Sequence, residues 1–371
     1  MAEVLEINDI EELESHRLCW AALLNETLQA SFFQSLDWLQ AYWRHFGHGQ
    51  HLRALVVFNG GRPIGILPLA VRQERTRIGR TAVLTYPLHD WGSFYGPIGP
   101  NPTATLLAAV RHIRKTERDW DLFDPRWVNA IECDRGRTET AMQAVGLQPR
   151  KQHWNTTWII DFADTWQIYL QGRKAKFREN IRRTERRAAV AGEVTFERYR
   201  PLGVSCGDAN PRWDLFSQCV DLAARSGRSD TTTGKTLSHE SARAFLRDAN
   251  VAAANRGALD VCLLKLDGRP IAYAYNYQLD GRIEGLRMGY HPAFAAIGPG
   301  TLLMSHMIRD SVERQDTSLD LGVDHAQIKR RWATRGLGSY RYTHYAPTSP
   351  KAQILRAKHW WDARRRTGAN E

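Results

Sequence analysis

Apolar and polar positions follow the same order in two stretches of the chain. FNGGRPIGILPL covers residues 58–69, and KLDGRPIAYAYN covers residues 265–276. In each stretch an apolar run reaches a glycine-containing turn, and Arg-Pro-Ile then opens a second apolar run. Two apolar runs around a short glycine turn are typical of a β-hairpin. The sequence therefore predicts the same hairpin twice.

A second motif repeats after the hairpin. Ile-Gly-Pro occurs at residues 98–100 and again at 297–299, and each copy leads into an amphipathic helix and a short apolar strand. The alternative is two unrelated loops that share common turn residues. Since two motifs recur in the same order at nearly the same separation, we expect tandem α+β domains. Each would have a mixed, mostly antiparallel sheet flanked by helices.

A long basic helix is predicted between the copies, at residues 164–192. Its apolar residues recur at spacings of four or seven and form a narrow stripe that would dock on another element: Trp166, Leu170, Phe177, Ile181 and Ala188. The other faces are rich in arginine and lysine. We therefore expect a first domain at 1–160, a basic linking helix at 161–192 and a second domain at 193–371.

Composition limits the class of protein. A chain of 371 residues exceeds the usual size of a single core, and a hydrophobic share of 43% argues against disorder. The formal net charge of +11 favours polyanionic partners: nucleic acid, phosphorylated cofactors or an anionic membrane surface. The five cysteines show no metal-ligand spacing, which fits a reducing compartment and predicts no disulfides.

Neither a secretion signal nor a transmembrane segment is expected. The N-terminal segment is acidic and lacks an apolar core, and no apolar run is long enough to span a bilayer. We therefore expect a cytoplasmic protein, and a monomer, since two packed copies can bury what a single copy would expose.

Two local patterns resemble functional motifs but fail on their details. SDTTTGKT at 229–236 has Ser229 where a P-loop requires its first glycine, which argues against ATP hydrolysis. In HFGHGQH, Gly47 and Gly49 interrupt any helix that could align the histidines. We therefore predict no metal site.

Three segments together resemble a known family: KFRENIRRTERRAAVAGEVTFERY, the stretch from LKLDGRPIAYAYN to AAIGPGTLL, and LDLGVDHAQIKRRWA. They resemble the GNAT-like acyltransferase domain of CelD-like and Fem-type proteins. That family is built from tandem GNAT folds, with a degenerate first copy and an active second copy. The resemblance covers residues 160–345 well and 30–150 more loosely.

The resemblance implies a binding site for acyl-CoA at the start of the helix after the fourth strand. Unpaired N–H groups and the helix dipole favour a phosphate there. The implied residues are Gly298, Gly300, Thr301 and Leu302. The motif departs from the family in two ways: Ala295 replaces a Gln or Arg, and Pro299 removes one donor. Fem-type relatives use aminoacyl-tRNA as donor, which keeps that alternative open.

Acyl transfer needs a base and donors for the oxyanion. The candidate bases are Asp320 and Glu284. Asp320 lies between Leu319 and Leu321, so its side chain is expected on the opposite sheet face, where burial would raise its pKa. A carboxylate that caps a loop or pairs with an arginine is the structural alternative. The resemblance implies that backbone groups of the fourth strand, at Arg287, Met288 and Tyr290, help to hold the oxyanion of the acyl group. A glycine at position 289 is compatible with a bulge there.

Further site residues are implied by the family pattern. Lys329 would stabilise the oxyanion or bind the acceptor, and His325 would carry a proton. Lys329 also fits an ordinary surface helix. The acceptor would contact four residues, all of which also fit a packed loop or core: Asp90, Trp91, Tyr95 and Tyr275.

The leading hypothesis is an acyltransferase that moves an acyl group from acyl-CoA to an amine or hydroxyl. The acceptor would be a cell-envelope precursor, a polysaccharide unit or a small metabolite. One alternative is a Fem-type transferase that uses aminoacyl-tRNA. Another is a non-catalytic protein whose basic helix binds nucleic acid through its phosphates. A catalytically inactive scaffold with the same fold is the third.

Overall fold

The computed structural model describes residues 2–88, 90–226 and 236–367, with side chains up to residue 361. The chain forms two compact units. Unit 1 comprises residues 1–155 and 338–371, and unit 2 comprises residues 156–337. Residues 229–235 of the rejected P-loop segment lie outside the described residues.

Unit 1 is built on strands paired in the order β1-β2-β3-β4-β5-β12. The β4–β5 pair is parallel, and the other neighbours are antiparallel. Its strands are β1 Glu3–Ile7, β2 His51–Asn59, β3 Arg62–Thr76, β4 Gly79–Thr85, β5 Leu122–Phe123 and β12 Arg335–Tyr345. Its helices are α1 Arg17–Asn25, α2 Leu36–Phe46, α3 Pro102–Lys115, α4 Arg137–Ala144 and α11 Pro350–Thr367.

Unit 2 has strands in the order β6-β11-β10-β9-β8-β7, and only the β10–β11 pair is parallel. Its strands are β6 Arg150–Asp161, β7 Val194–Tyr199, β8 Leu259–Leu266, β9 Arg269–Leu279, β10 Arg282–Tyr290 and β11 Ser318–Asp320. Its helices are α5 Trp166–Gln171, α6 Ala175–Ala191, α7 Trp213–Arg225, α8 Glu240–Arg256, α9 Pro299–Glu313 and α10 Ala326–Trp332.

The predicted internal repeat is present in both units. The β2–β3 hairpin corresponds to the β8–β9 hairpin, and the third strand follows as β4 or β10. In each unit a helix after Ile-Gly-Pro, α3 or α9, then leads to a short strand parallel to that third strand. A helical crossover is what a parallel pair requires, so the same chain order produces the same local topology twice.

Residues 338–371, which the sequence grouped with the second domain, belong to unit 1. The end of β12 pairs with β5, where His344 and Tyr345 are the partners of Phe123 and Leu122. Strands β6 and β12 each contribute to both units, because the division falls at residues 155/156 and 337/338. The contribution of one strand to both units depends on pairing between segments that are far apart in the sequence.

The prediction of one long helix at 164–192 is wrong, because the chain breaks between α5 and α6. Gly172 caps α5, and Lys174 has an extended backbone with φ −60° and ψ 145°. The break lets the Arg173 guanidinium donate to the carbonyl oxygens of Trp332 and Ala333. Glycine has low helix propensity, and these two bonds favour the non-helical turn.

The apolar stripe of α5 and α6 docks on unit 2 as expected. Ile181 and Ala188 are buried in a core cluster with β8, β9 and α9, and Trp166, Leu170 and Phe177 pack against it. The Tyr169 hydroxyl donates to the Trp332 carbonyl oxygen at 2.6 Å. Within the described residues, no helix is long and apolar enough to cross a membrane. All five cysteines are free thiols.

Truncation of the α6 stripe tests this docking. Ile181 is 2% exposed, so Ile181→Ala should lower the free energy of unfolding by about 2–5 kcal/mol through lost burial and a cavity. Val190 lies on the same helix and is 91% exposed, so Val190→Ala should change it by less than about 0.5 kcal/mol. Urea unfolding of both variants measures the difference. Equal effects of the two substitutions on the free energy of unfolding would contradict the docking of the Ile181 face of α6 on unit 2.

Candidate active site

The candidate active site begins where β10 and β11 lie side by side. Their parallel pairing is only three residue pairs long, and its last pair joins Glu284 to Asp320. Ile283 and Leu319, one position earlier, are buried in the core cluster on the opposite face. Because side chains alternate along a strand, the two carboxyl groups share the other face.

Burial is the main influence on both carboxyl groups. It raises the pKa of Glu284 to about 8, with repulsion from Asp320 adding to the effect and Arg282 opposing it. Burial also raises the pKa of Asp320 to about 6, although the Gly322 N–H, Lys329 and Arg282 favour its charged form. The Gly322 N–H donates to Asp320 Oδ1 at 2.7 Å. Near pH 7, therefore, Asp320 is mostly ionised and Glu284 mostly protonated.

Three buried polar atoms near the pair have no hydrogen-bond partner: Glu284 Oε2, Arg282 Nε and Asn276 Nδ2. Arg282 lies on the same face of β10 as Glu284, and Asn276 is the β9 partner of Gly285. Buried polar atoms are usually paired, so a cluster of unpaired ones is typical of a functional site. The sequence interpretation missed Arg282 and Asn276, although a polar residue inside the apolar run IAYAYNYQL is a detectable signal.

Lys329 belongs to this cluster, whereas His325 is more peripheral. A Cβ on Gly322 would lie 3.4 Å from Lys329 Nζ, so the Lys329 ammonium group lies beside Gly322. Its charge lowers the pKa of Asp320. His325 is exposed and precedes α10 with φ +57°. Lys329 lies one helical turn later.

Strand β10 leaves its parallel partner just beyond the carboxyl pair. A bulge falls between Gly285 and Arg287, and a Cβ on Gly285 would lie 2.7 Å from the Asp320 carbonyl oxygen. The expected bulge at Gly289 is therefore wrong. Gly289 pairs in register with Tyr273, and its missing side chain makes room for that ring, since a Cβ would lie 2.8 Å from Tyr273 Cε1.

Past the bulge, β10 pairs with β9 alone among the described strands. This segment contains the predicted acyl-binding residues Arg287, Met288 and Tyr290. Met288 and Tyr290 are 40% and 41% exposed, so this part of the strand is accessible. The Arg287 guanidinium donates to the Leu286 carbonyl oxygen at 2.6 Å.

Helix α9 begins at Pro299, after Gly298 in the left-handed region with φ +69°. A Cβ on Gly298 would also lie 2.9 Å from Thr184 Cγ2 of α6, so both conformation and packing require glycine. The N–H groups of Thr301 and Leu302 donate to the Gly298 carbonyl oxygen. Pro299 has no N–H, which leaves Gly300 as the available backbone donor of the first turn.

Arginines of α6 flank this helix start. Arg187 Nη1 donates to the Ala296 carbonyl oxygen at 3.5 Å, and Arg183 lies one turn earlier on the same side as Thr184. Both are exposed. Arg182 and Arg186 point away from this side because of the helical period, and Arg186 pairs with Glu179. The start of α9 therefore combines one backbone N–H with two nearby guanidinium groups.

The predicted acceptor residues do not form one group. Tyr275, in unit 2, is fully buried, and its hydroxyl donates to Asn250 Oδ1 at 3.1 Å. Trp91 and Tyr95, in unit 1, are 2% and 4% exposed. These three positions are core positions. Asp90 is exposed and lines a pocket.

The pocket at Asp90 belongs to unit 1 and has a volume of about 210 Å³. Its walls include Arg72, Trp127 and Trp154. The guanidinium of Arg126, which also lines the pocket, lies 5.3 Å from the centre of the Trp154 ring. It forms ion pairs with Glu74 at 2.8 Å and with buried Asp124 at 2.6 Å. Aromatic walls with a few fixed polar groups are typical of small-molecule pockets.

No group of three or more histidine, cysteine, aspartate or glutamate residues in the described chain is arranged to hold a metal ion.

Comparison with known proteins shows which domains and folds this chain is similar to. Residues 175–344 match the family model of the acetyltransferase (GNAT) domain. The crystal structure of FemX has a TM-score of 0.62 at 14% identity, over 95% of this chain and 99% of that chain. The C-terminal domain of a putative lysylphosphatidylglycerol synthetase from Agrobacterium fabrum has a TM-score of 0.54 at 13% identity, over 94% and 95%. No curated protein matches the sequence.

Residues 175–344 are therefore similar to a GNAT acetyltransferase domain. The fold of the chain as a whole is similar to that of FemX, and the predicted α+β class with two tandem GNAT-like domains is confirmed. At these identities the structural likeness shows the fold alone.

The raised pKa values predict a pH dependence of stability. A carboxyl group whose pKa is higher in the folded protein binds more protons there, so stability falls as pH rises. For Glu284 the fall should run from about pH 4.5 to about pH 8. Glu284→Gln should remove this fall. As the pH rises from 5 to 8.5, the free energy of unfolding of the variant should therefore increase by a few kcal/mol relative to that of wild type. Urea unfolding at several pH values measures this.

Glu179→Gln is the matched control, because that side chain is 58% exposed. Its effect on stability should be much smaller than that of Glu284→Gln, because an exposed ion pair contributes little to stability. If Glu284→Gln behaves in the same way, the raised pKa of Glu284 is contradicted.

Proposed function

We propose that the protein is an acyltransferase, with its chemistry in unit 2, that moves an acyl group from acyl-CoA to an amine or hydroxyl. The observation that carries this proposal is the half-buried carboxyl pair Glu284 and Asp320, located where β10 and β11 part. Buried carboxyl groups with raised pKa values are suited to proton transfer near neutral pH. The GNAT domain supports a transferase.

The start of α9 fits the phosphates of acyl-CoA. The Gly300 N–H is open, the helix dipole is positive at this end, and Arg183 and Arg187 lie on the adjacent side of α6. Pro299 reduces the number of backbone donors, and the two arginines supply charge in their place. Gly298, Gly300, Thr301 and Leu302 would form the backbone part of the site.

Acyl-CoA would supply an electrophilic thioester carbonyl, and the chain's own residues would manage protons and charge. The acceptor nitrogen or oxygen would attack that carbonyl while its proton passes to the Asp320 carboxylate, and Glu284 would hold its own proton near pH 7. The C–S bond of the tetrahedral intermediate would then break, and CoA would leave as a thiol with the proton returned from Asp320. Lys329 would keep Asp320 ionised between turnovers. The accessible part of β10, at Arg287, Met288 and Tyr290, would hold the acyl group. His325 would serve as a peripheral proton carrier.

The acceptor site is proposed at Asp90, in the unit 1 pocket with Trp127 and Trp154. The acceptor classes remain an envelope precursor, a polysaccharide unit or a small metabolite. A cytoplasmic location and a monomeric state also remain predictions.

A Fem-type reaction that uses aminoacyl-tRNA is the second candidate. The observation that favours it is the exposed arginine-rich surface of α6 beside the α9 start, which would also suit the phosphates of a tRNA end. Binding of nucleic acid without catalysis would use the same surface.

Substitution at Gly300 separates these candidates. A Cβ at this position would lie 3.6 Å from the Tyr290 ring, which is an ordinary contact. Gly300→Ala should therefore preserve binding of acetyl-CoA, whereas Gly300→Trp should abolish it by filling the space at the helix start. Calorimetric titration should give a roughly micromolar Kd for wild type and for Gly300→Ala. No binding of any acyl-CoA to wild type would rule out the acyl-CoA proposal and leave aminoacyl-tRNA.

The two arginine pairs of α6 offer a second test with equal charge change. Arg183→Gln/Arg187→Gln should weaken acetyl-CoA binding several-fold and reduce its salt dependence, because both side chains lie on the α9 side. Arg182→Gln/Arg186→Gln should leave the Kd unchanged. Equal effects of the two pairs would show that only the net charge matters and would contradict the proposed phosphate site.

A further inference from the structure

Helix α11 packs on unit 1 through one face. Ala352 and Leu355 are 0% and 4% exposed, and His359 lies one turn beyond Leu355 on the same side. The Tyr345 hydroxyl and His359 Nδ1 are 2.6 Å apart. The spacing of three and four residues defines the inner face of the helix.

Two large apolar side chains of α11 lie away from this inner face and are exposed. Ile354 and Trp361 are seven residues apart, so they lie on the same side of the helix, and they are 55% and 59% exposed. Lys351 and Lys358, also seven residues apart, follow the same side. A large apolar pair with lysines alongside is the pattern of a helix that lies in a membrane interface.

A basic hairpin adjoins this helix. Lys351 Nζ donates to the Arg80 carbonyl oxygen at 3.0 Å, which joins α11 to the turn between β3 and β4. Arg75, Arg77 and Arg80 are exposed on that turn. Residues 75–81 and 350–361 together contain six lysines and arginines and no aspartate or glutamate. The two exposed apolar side chains therefore have basic residues beside them, on the helix itself and on the neighbouring hairpin.

We propose that this surface, the outer face of α11 with the β3–β4 hairpin, docks on a bilayer that contains anionic phospholipid. The indole and the isoleucine would enter the interfacial layer, and the basic groups would contact lipid phosphates. A second copy of the chain is disfavoured, since the two surfaces would bring like charges together. A nucleic acid would match the charge but would offer no apolar layer for Ile354.

Sedimentation of the full chain with vesicles tests this docking. Binding is expected to vesicles of phosphatidylcholine and phosphatidylglycerol in a 7:3 ratio and not to pure phosphatidylcholine, because a pure zwitterionic surface lacks the electrostatic attraction. Ile354→Ser/Trp361→Ser should weaken binding by at least about tenfold through loss of the apolar anchor. Arg75→Glu/Arg77→Glu/Arg80→Glu should weaken it by about tenfold or more.

Two variants elsewhere serve as controls. Leu18→Ser removes an apolar side chain of α1 that is 86% exposed, and Arg182→Glu/Arg186→Glu reverses charge on α6. Both should retain vesicle binding. Absence of binding to phosphatidylglycerol vesicles at low salt would overturn the proposal. So would an equal loss in Arg182→Glu/Arg186→Glu, which would show that binding needs only net charge, or an equal loss in Leu18→Ser, which would show that any exposed apolar side chain serves.

Two further measurements distinguish other occupants of the surface. Light scattering after gel filtration would show whether Ile354→Ser/Trp361→Ser changes the oligomeric state. Binding to a fluorescent RNA would show whether the surface prefers nucleic acid. Either effect with unchanged vesicle binding would overturn the membrane assignment, while acetyl-CoA binding by this variant should equal that of wild type.

Discussion

The short parallel pairing of β10 with β11 is the constraint on which the candidate site depends. Three residue pairs hold the strands together, and the last pair brings the Glu284 and Asp320 side chains to one face. A longer β11 would continue the pairing and cover the edge of β10. The bulge after Gly285 ends it instead, so the carboxyl pair lies at the point where accessible backbone begins.

The same arrangement has a cost in stability. Glu284 Oε2, Arg282 Nε and Asn276 Nδ2 are buried without partners, and each such atom is unfavourable by about 1–3 kcal/mol relative to hydration. The surrounding packing has to compensate for this cost. In unit 2 the buried cluster beneath α6 and α9 supplies apolar burial on the opposite face of the sheet. A site of this kind is tolerated because the core that supports it is separate from it.

Short sequence patterns predicted the features that depend on neighbouring residues alone. Glycine turns and apolar alternation located both hairpins, and the position of Asp320 between two leucines placed its side chain on the face opposite them. The break at Gly172–Lys174 could not be predicted, since it depends on carbonyl groups of Trp332 and Ala333, about half the chain away. The same reason applies to residues 338–371, whose place follows from strand pairing with β5. The bulge follows Gly285, whose backbone lies close to the Asp320 carbonyl oxygen, and sequence alone contains no sign of this contact.

The start of α9 shows how a departure from a family motif can be balanced by another element. Pro299 removes a backbone donor, and two of the remaining N–H groups are already directed at the Gly298 carbonyl oxygen. Helix α6 packs against this turn through Thr184 and places Arg187 within reach of Ala296. Binding that depends on guanidinium groups is less directional than binding by a ring of backbone donors and is more strongly screened by salt. A site of this type would therefore distinguish phosphate groups by charge more than by shape.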